Sequence, residues 1–487
     1  MLNATGEIMR DETTDTEETG KSERLDRGQA LTVFTMMAGT FIIVLNQTLL
    51  SPVLPVFMRD FGIEATTVQW LTSGYSLVMA IVIPLSPYLL GRFGSRRLFL
   101  ASMVFFIVGS LIASLASAFP MLLIGRMLQA VAAGITMPMS FTIVLLEFPL
   151  DQRGSAMGVI SLIMGFAPAI GPTLSGVLVE IVGWRALFGI TASFALIILV
   201  ASFKVLADNR SFNPTTFDVA SVLLSTVGLV ALLYGLSSFS DSDNLPLIGM
   251  LVIVGALLLA AFAVRQTKLA VPLLSIGILK VTRYRVSVIV SMISMSVSVG
   301  MGVLLPLYIQ NLLGYSPFMT GIIMLPGAVA GALAGLAAGK LFDRKGVRIC
   351  VVPGACLMFV AMMAMTLLFD ARTSLVVVGV AYGCLFVGVQ MLNTVAGSWG
   401  LNVLANDVVQ HAQAVGNTLN QVSGSLITAL VISITAMAAG FTPSGNAAAA
   451  YELGYHWGFI ALLVMVIINF FIVVFLVRNK GKSQMGR

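Results

Sequence analysis

Runs of roughly 20 apolar residues recur from Ala30 to Val477, each long enough to cross ~30 Å of hydrocarbon as a helix. In lipid the backbone finds no outside hydrogen-bond partner, so only helices or closed barrels can span it. Barrel strands would be about ten residues long and alternate in polarity, and these runs do not alternate. The chain therefore reads as an all-α integral membrane protein with fourteen spans. Their limits are 30–57, 67–90, 98–117, 121–147, 155–181, 185–205, 218–238, 247–265, 286–312, 319–341, 349–369, 375–400, 411–438 and 457–477. Only 10% of the residues are charged, against about 25% in soluble domains.

Charge orients the spans. If the N-terminus is cytoplasmic and the spans alternate, 23 of the 27 Lys and Arg fall on the inner side. Arg59, Arg185 and Arg372 fall outside, and Arg126 lies within the fourth span. Such a bias predicts cytoplasmic N- and C-termini. The first 28 residues are polar and rich in carboxylates and read as a disordered cytoplasmic tail. They lack the basic head and short apolar stretch of a cleaved signal.

The chain also repeats itself. Gly91-Arg92-Phe93-Gly94-Ser95-Arg96-Arg97 follows span two, and Asp343-Arg344-Lys345-Gly346-Val347-Arg348 follows span ten. Both turns are inner, so the repeats run parallel. Six spans precede an insertion of two, and six follow, a layout of parallel six-helix repeats. The expected organisation is a tail over 1–28, a six-helix bundle over 29–205 and a linker with two extra spans over 206–285. A second bundle over 286–477 and a cytoplasmic tail over 478–487 complete it. The basic, apolar-studded stretch 266–285 is expected along the inner membrane surface.

Several function classes drop out. There is no nucleic-acid motif, and Cys350, Cys356 and Cys384 are not spaced for a metal. The ending Gly339-Lys340-Leu341 lacks the first glycine and the Ser/Thr of a phosphate loop, so ATP is not expected. No paired carboxylates or activated nucleophile stand within the spans, so neither an enzyme nor a cofactor is expected.

Four stretches resemble the fourteen-helix drug/proton antiporters of the major facilitator superfamily, the group that includes lincomycin-resistance-type proteins. The first is the turn Gly91–Arg97. In that family it acts as a latch between the two halves, with an acid just before the first arginine. Here Gly91 holds that place, while the second copy keeps Asp343. The second stretch carries Gly125, Arg126, Gln129 and Gly134 in the fourth span. It is similar to the family's proton-relay helix, and a guanidinium within a span is costly enough to mark a polar cavity or a partner. The third carries Gly165, Pro168, Gly171, Pro172, Ser175 and Gly176 and resembles the fifth-helix signature of antiporters. The fourth, Asn46-Gln47-Thr48 with Pro52 and Pro55, resembles the first-helix motif, with Asn46 where the family has an aspartate.

The resemblance implies secondary active efflux of amphipathic small molecules across a bacterial cell membrane by alternating access, in exchange for protons. A lipid or amphiphile exporter without proton coupling is the alternative. By the span limits no acid sits at mid-membrane. Glu147, near the inner end of span four, and Glu180, near the outer end of span five, are the nearest candidates for a proton group. Arg126 and neutral groups (Asn46, Gln47, Gln129, Gln390, Asn393, Asn417, Asn420, Gln421) would line the cavity, with methionines as a compliant wall. That lining favours neutral, zwitterionic or weakly anionic amphiphiles over dications. Gly327, Gly331, Gly335 and Gly339 form a smooth ridge for close helix packing.

Overall fold

A computed structural model describes residues 26–50, 53–68, 70–206, 218–237, 245–269, 272–440 and 447–477. Those residues are helical apart from short connections. The tails, apart from residues 26–28, and parts of the linker lie outside the described residues. The first bundle holds α1 (Arg27–Thr48), α2 (Trp70–Phe93), α3 (Ser95–Ser114), α4 (Phe119–Glu147), α5 (Arg153–Val182) and α6 (Trp184–Val205). The inserted pair is α7 (Val219–Ser237) and α8 (Leu245–Lys268). The second bundle holds α9 (Thr282–Leu312), α10 (Pro317–Lys345), α11 (Arg348–Leu368), α12 (Leu375–Leu401), α13 (Val409–Gly440) and α14 (Ala447–Leu476).

All fourteen apolar runs are helices. Among the described residues, twelve helices are long and apolar enough to cross a membrane, and Val219–Gly235 is a shorter apolar one. The 30-residue length of α5 follows its apolar run closely, from Arg153 to Val182. One limit needs correction. The first run was expected to 57, but α1 stops at Thr48 and a separate two-turn helix, Leu54–Phe61, follows. Pro52 has no N–H with which to continue the ladder, and Pro55 stands in the first turn of the second helix, where none is needed. Proline also shapes α2, where a 3₁₀ turn over Ile83–Leu85 contains Pro84, and α9, where a π turn over Tyr308–Leu312 follows Pro306.

Successive helices run antiparallel. The turns around Gly94 and Gly346 therefore share one end, the basic end, opposite a far end. Each bundle has its own apolar core. Phe57, Tyr75, Phe99, Phe106, Trp184 and Phe188 belong to the first, and Tyr308, Phe369, Tyr382 and Phe459 to the second. A third cluster draws on both: Val33 of α1, Phe141 and Leu145 of α4, and Ile160 of α5 meet Tyr284 of α9, Leu401 of α12 and Val415 of α13. By their places along these helices, its members belong to the basic half. The bundles are thus fused there by shared apolar burial.

Part of the stretch 266–285 packs against the bundles. Leu273, Leu274 and Ile278 are buried in that third cluster with residues of α4, α9 and α13, which removes their apolar surface from the surroundings. The inserted pair lies against the outside of the bundles, where α2 approaches α13. Leu229 and Leu233 of α7 pack on Ala80 of α2, with Val422 of α13 alongside, and Tyr234 stacks on Trp70 at 5.8 Å. At its basic end Arg265 donates to Asp218 at 2.7 and 3.0 Å. The Ser221 hydroxyl donates to the same carboxylate at 2.6 Å.

Candidate functional site

The first polar site lies within the first bundle. α3 and α4 cross with almost no side chain between them: a Cβ on Gly125 would stand 2.6 Å from the Gly109 carbonyl. That crossing sets the residues after Gly125 deep among the helices. Arg126 is 1% exposed. Its Nη1 donates to Asn46 Oδ1 at 2.7 Å and to Gln129 Oε1 at 2.8 Å. Its Nε points to the Leu71 carbonyl at 3.4 Å, and its guanidinium carbon lies 4.3 Å from the centre of the Tyr75 ring. Gln129 Nε2 donates to Ser110 Oγ at 2.8 Å, and Asn46 Nδ2 reaches Thr191 Oγ1 at 3.4 Å.

The positive charge is therefore held by dipoles and an aromatic face. Hydrogen bonds to a charged group contribute roughly 1.5–3 kcal/mol each, and a desolvated cation–π contact about 2. These offset the desolvation of the guanidinium without a counter-ion. With an aspartate at 46 the same position would form a buried ion pair, whereas Asn46 gives a neutral cradle. The sequence sets Arg126 and Gln129 on one helical face and offers Asn46 as a further cavity group; the structure brings the three into contact. Sequence reasoning did not find Leu71, Tyr75, Ser110 or Thr191, whose contacts arise only from tertiary packing.

Glu147 is not part of this site. It ends α4, 21 residues beyond Arg126, about 31 Å along the axis at ~1.5 Å per residue. Gln47 is half-buried next to Asn46. The surroundings of Pro168, Pro172, Gly176 and Glu180 on α5 lie outside the described side chains.

The second site is the contact between the bundles at the basic end. Asp343, in the last turn of α10, accepts from the Gly154 N–H at 2.8 Å and from the Ser155 N–H and hydroxyl, both at 2.7 Å. Gly154 and Ser155 open α5, so a carboxylate from one bundle caps a helix of the other, meeting its free N–H groups and positive dipole end. Alongside, the Arg153 guanidinium donates to Asn406 Oδ1, and the Ser398 hydroxyl donates to the Arg153 carbonyl at 3.3 Å. Ser161 and Thr394 join hydroxyl to hydroxyl, and Gln390 Nε2 donates to the Ser161 carbonyl at 3.2 Å.

Glycine permits this approach. A Cβ on Gly339 would overlap the Gly154 carbonyl, and one on Gly335 would stand 2.8 Å from Ser161 Cβ. Gly327 and Gly331 of the same ridge face α12 instead, against Gly383 and Phe386. The ridge is thus divided between an interface within one bundle and an interface between bundles. The fifth-helix signature is divided too: Gly165 abuts Ala332 and Gln390 of the second bundle, and Gly171 abuts Thr48 of α1.

The basic turns keep their symmetry. Gly94 and Gly346 have φ of 75° and 85°, a region that favours glycine. Arg96 donates to the Phe203 carbonyl at 2.9 Å, and Arg348 to the Val474 carbonyl at 3.4 Å. Gly91 and Arg92 lie in the last turn of α2, Arg97 follows Arg96 in the first turn of α3, and Arg344 closes α10.

Comparison with known proteins matches this arrangement. A profile of the Major Facilitator Superfamily fits residues 36–429. The MFS-type transporter YcnB of Bacillus subtilis is 37% identical over 445 residues, covering 91% of this chain and 94% of that protein. The lincomycin resistance protein LmrB of Listeria monocytogenes is 36% identical over 406 residues, covering 83% of this chain and 85% of that one. Among solved structures, the proton:xylose symporter XylE shares the fold with a TM-score of 0.63 at 14% identity, over 94% of this chain and 98% of that chain.

Proposed function

Since the chain belongs to the major facilitator superfamily, we propose that it exports amphipathic drugs or toxic small molecules from a bacterial cell by alternating access, in exchange for protons. In this reading both termini and the basic end face the cytoplasm, and the two bundles are residues 29–205 and 286–477. The observation that carries it is the one-sided closure. The shared apolar cluster and the Asp343 cap join the bundles at the basic end, while the two separate cores belong to one bundle each. An exporter that has just released its load outward would have this form.

The relative named for lincomycin resistance supports a drug as cargo. Arg126, Gln129 and Asn46 hold a fixed positive charge in the outer half of the first bundle, and Asp343, Arg344, Gly346 and Arg348 form the inner gate together with Gly91, Arg92, Gly94, Arg96 and Arg97. In this reading the fifth-helix residues Gly165, Pro168, Gly171, Pro172 and Gly176 are the antiporter signature, with Gly165 and Gly171 at close helix contacts. No acid among the described side chains lies at mid-membrane, which favours an uncoupled amphiphile exporter as the second reading.

The deciding test is lincomycin transport in proteoliposomes with an imposed pH gradient. The wild type is compared with Glu147→Gln, Glu180→Gln and Arg126→Ala. The expected result is gradient-driven transport, lost in one carboxylate variant and reduced at least about tenfold in Arg126→Ala, which removes bonds to a charged group. Transport that ignores the gradient and all three substitutions would establish the second reading instead.

A further inference from the structure

Arg126 carries its charge among helices that hold almost no acid. α1 and α2, which touch it, and α3 and α6 behind them contain no Asp or Glu. The carboxylate of α4 is Glu147, at the far end of that helix. Among the described residues no carboxylate bonds to Arg126. Asn46 and Gln129 meet it through oxygens that share one nitrogen, Nη1, and the Nε contact to the Leu71 carbonyl is long, at 3.4 Å. Nη2 bonds to nothing among the described residues. The dipoles lower the cost of the charge without cancelling it, and a charge this deeply buried calls for an opposite charge.

Tyr75 supplies an independent observation. It is 1% exposed, and its hydroxyl is buried with no hydrogen-bond partner. Buried hydroxyls are nearly always paired, and each exception calls for a reason. The Arg126 guanidinium carbon lies 4.3 Å from the centre of the Tyr75 ring. A carbon over the ring stands about 5 Å from the hydroxyl oxygen at the ring's edge, too far for a direct bond. That separation suits one acceptor placed between the two groups.

The chemistry of that acceptor follows from the donors. A guanidinium only donates, and a tyrosine hydroxyl can donate to the same atom. A water molecule could accept from both, but it leaves the charge uncancelled and brings two hydrogens that need acceptors of their own. A monovalent anion accepts from both and neutralises the guanidinium. Arg126 and Tyr75 are each 1% exposed, an enclosure that suits a single atom and not the body of an organic acid. We propose that Arg126 and Tyr75 form a binding site for a halide ion, chloride in the cell, which supplies the negative charge that Asn46 does not. A carboxylate at position 46 would be its built-in equivalent. The site goes beyond the export reading and stands whatever the cargo is.

The test uses the full chain purified in detergent in gluconate. Chloride replaces gluconate stepwise at constant ionic strength, which holds screening fixed, and the melting temperature is read. An ion that binds the folded form stabilises it by mass action, so the melting temperature of the wild type should rise and saturate. Bromide should act likewise, and methanesulfonate, a larger anion, should not. Tyr75→Phe keeps the ring and removes the hydroxyl. It should raise the half-saturating chloride concentration about tenfold, the value of one hydrogen bond to a charged group. Asn46→Asp places a carboxylate on Arg126 and should melt at one temperature in chloride and in gluconate.

A wild type that melts alike in chloride and gluconate overturns the proposal, as does equal stabilisation by methanesulfonate. An Asn46→Asp protein that still saturates with chloride overturns it too, since the ion would then sit elsewhere. Should Asn46→Asp fail to fold, Tyr75→Phe decides: an unmoved half-saturation removes the site. Equilibrium binding of radioactive chloride to the wild type checks the same claim without melting. Saturable binding weakened in Tyr75→Phe supports the site, and binding that never saturates overturns it.

Discussion

The two basic turns share a glycine at positive φ and an arginine two residues on, and only the second carries a carboxylate ahead of its first arginine. Each holds a glycine at positive φ, Gly94 or Gly346. In each, the arginine two residues on, Arg96 or Arg348, donates to a carbonyl in the last turn of the sixth helix of its own bundle. This is the dipole-matched place for a cation. Asp343 of the second turn also crosses to the other bundle and caps α5. The first turn has Gly91 at that place, and Leu90 just before it lies beside Gln410 at the start of α13. The turn and the latch are therefore separable: the arginine fixes the turn within a bundle, and the acid joins the bundles. With one latch, the basic end is gripped along α5 and α10, and opening is expected to begin along α2 and α13.

The largest effect should come from Asp343→Asn. It withdraws the charged acceptor from two backbone N–H groups and a hydroxyl. Even ~2 kcal/mol lost from the closed form moves the equilibrium about thirtyfold toward opening. Spin labels at Asp151 and Lys345 should then show a lengthened distance distribution, with turnover down at least about tenfold. An unchanged distribution would break the comparison. Gly91→Asp sharpens it from the other side. A carboxylate there should cap α13 as Asp343 caps α5, adding about 1 kcal/mol to the closed form. Transport should slow by about fivefold, and more so at low ionic strength. The smallest effects belong to Arg96→Gln and Arg348→Gln. Each should lower stability by less than about 1 kcal/mol, nearly equally, in detergent melting curves. A large difference between them would show that the turns are not equivalent in their own bundles.

The fold was legible because each span must satisfy its own backbone, which makes hydropathy a direct record of where the helices run. The basic turns were legible because their glycines and arginines are local requirements. The neighbourhood of Arg126 was legible only along α4, to Gln129 one turn away. Leu71 and Thr191 are 55 and 65 residues distant in the chain, and nothing in their types marks them as its surroundings. Asp343 stood out as the retained acid, but its partners are backbone N–H groups of Gly154 and Ser155, which no side-chain motif announces. The α13 amides could be seen as polar residues in a span. That they lack partners is a property of packing alone.

The meeting of Gly154 with Gly339 has a mechanical consequence. Ordering a long side chain at an interface costs about 0.5–1.5 kcal/mol each time it docks. Two glycine-lined backbones carry no rotamers to freeze or release. They act as a bearing, over which the bundles can part and re-seat many times with the entropy of the contact nearly constant. The grip beside this bearing then comes from a few polar bonds, Asp343 to Gly154 and Ser155, Arg153 to Asn406 and Ser161 to Thr394.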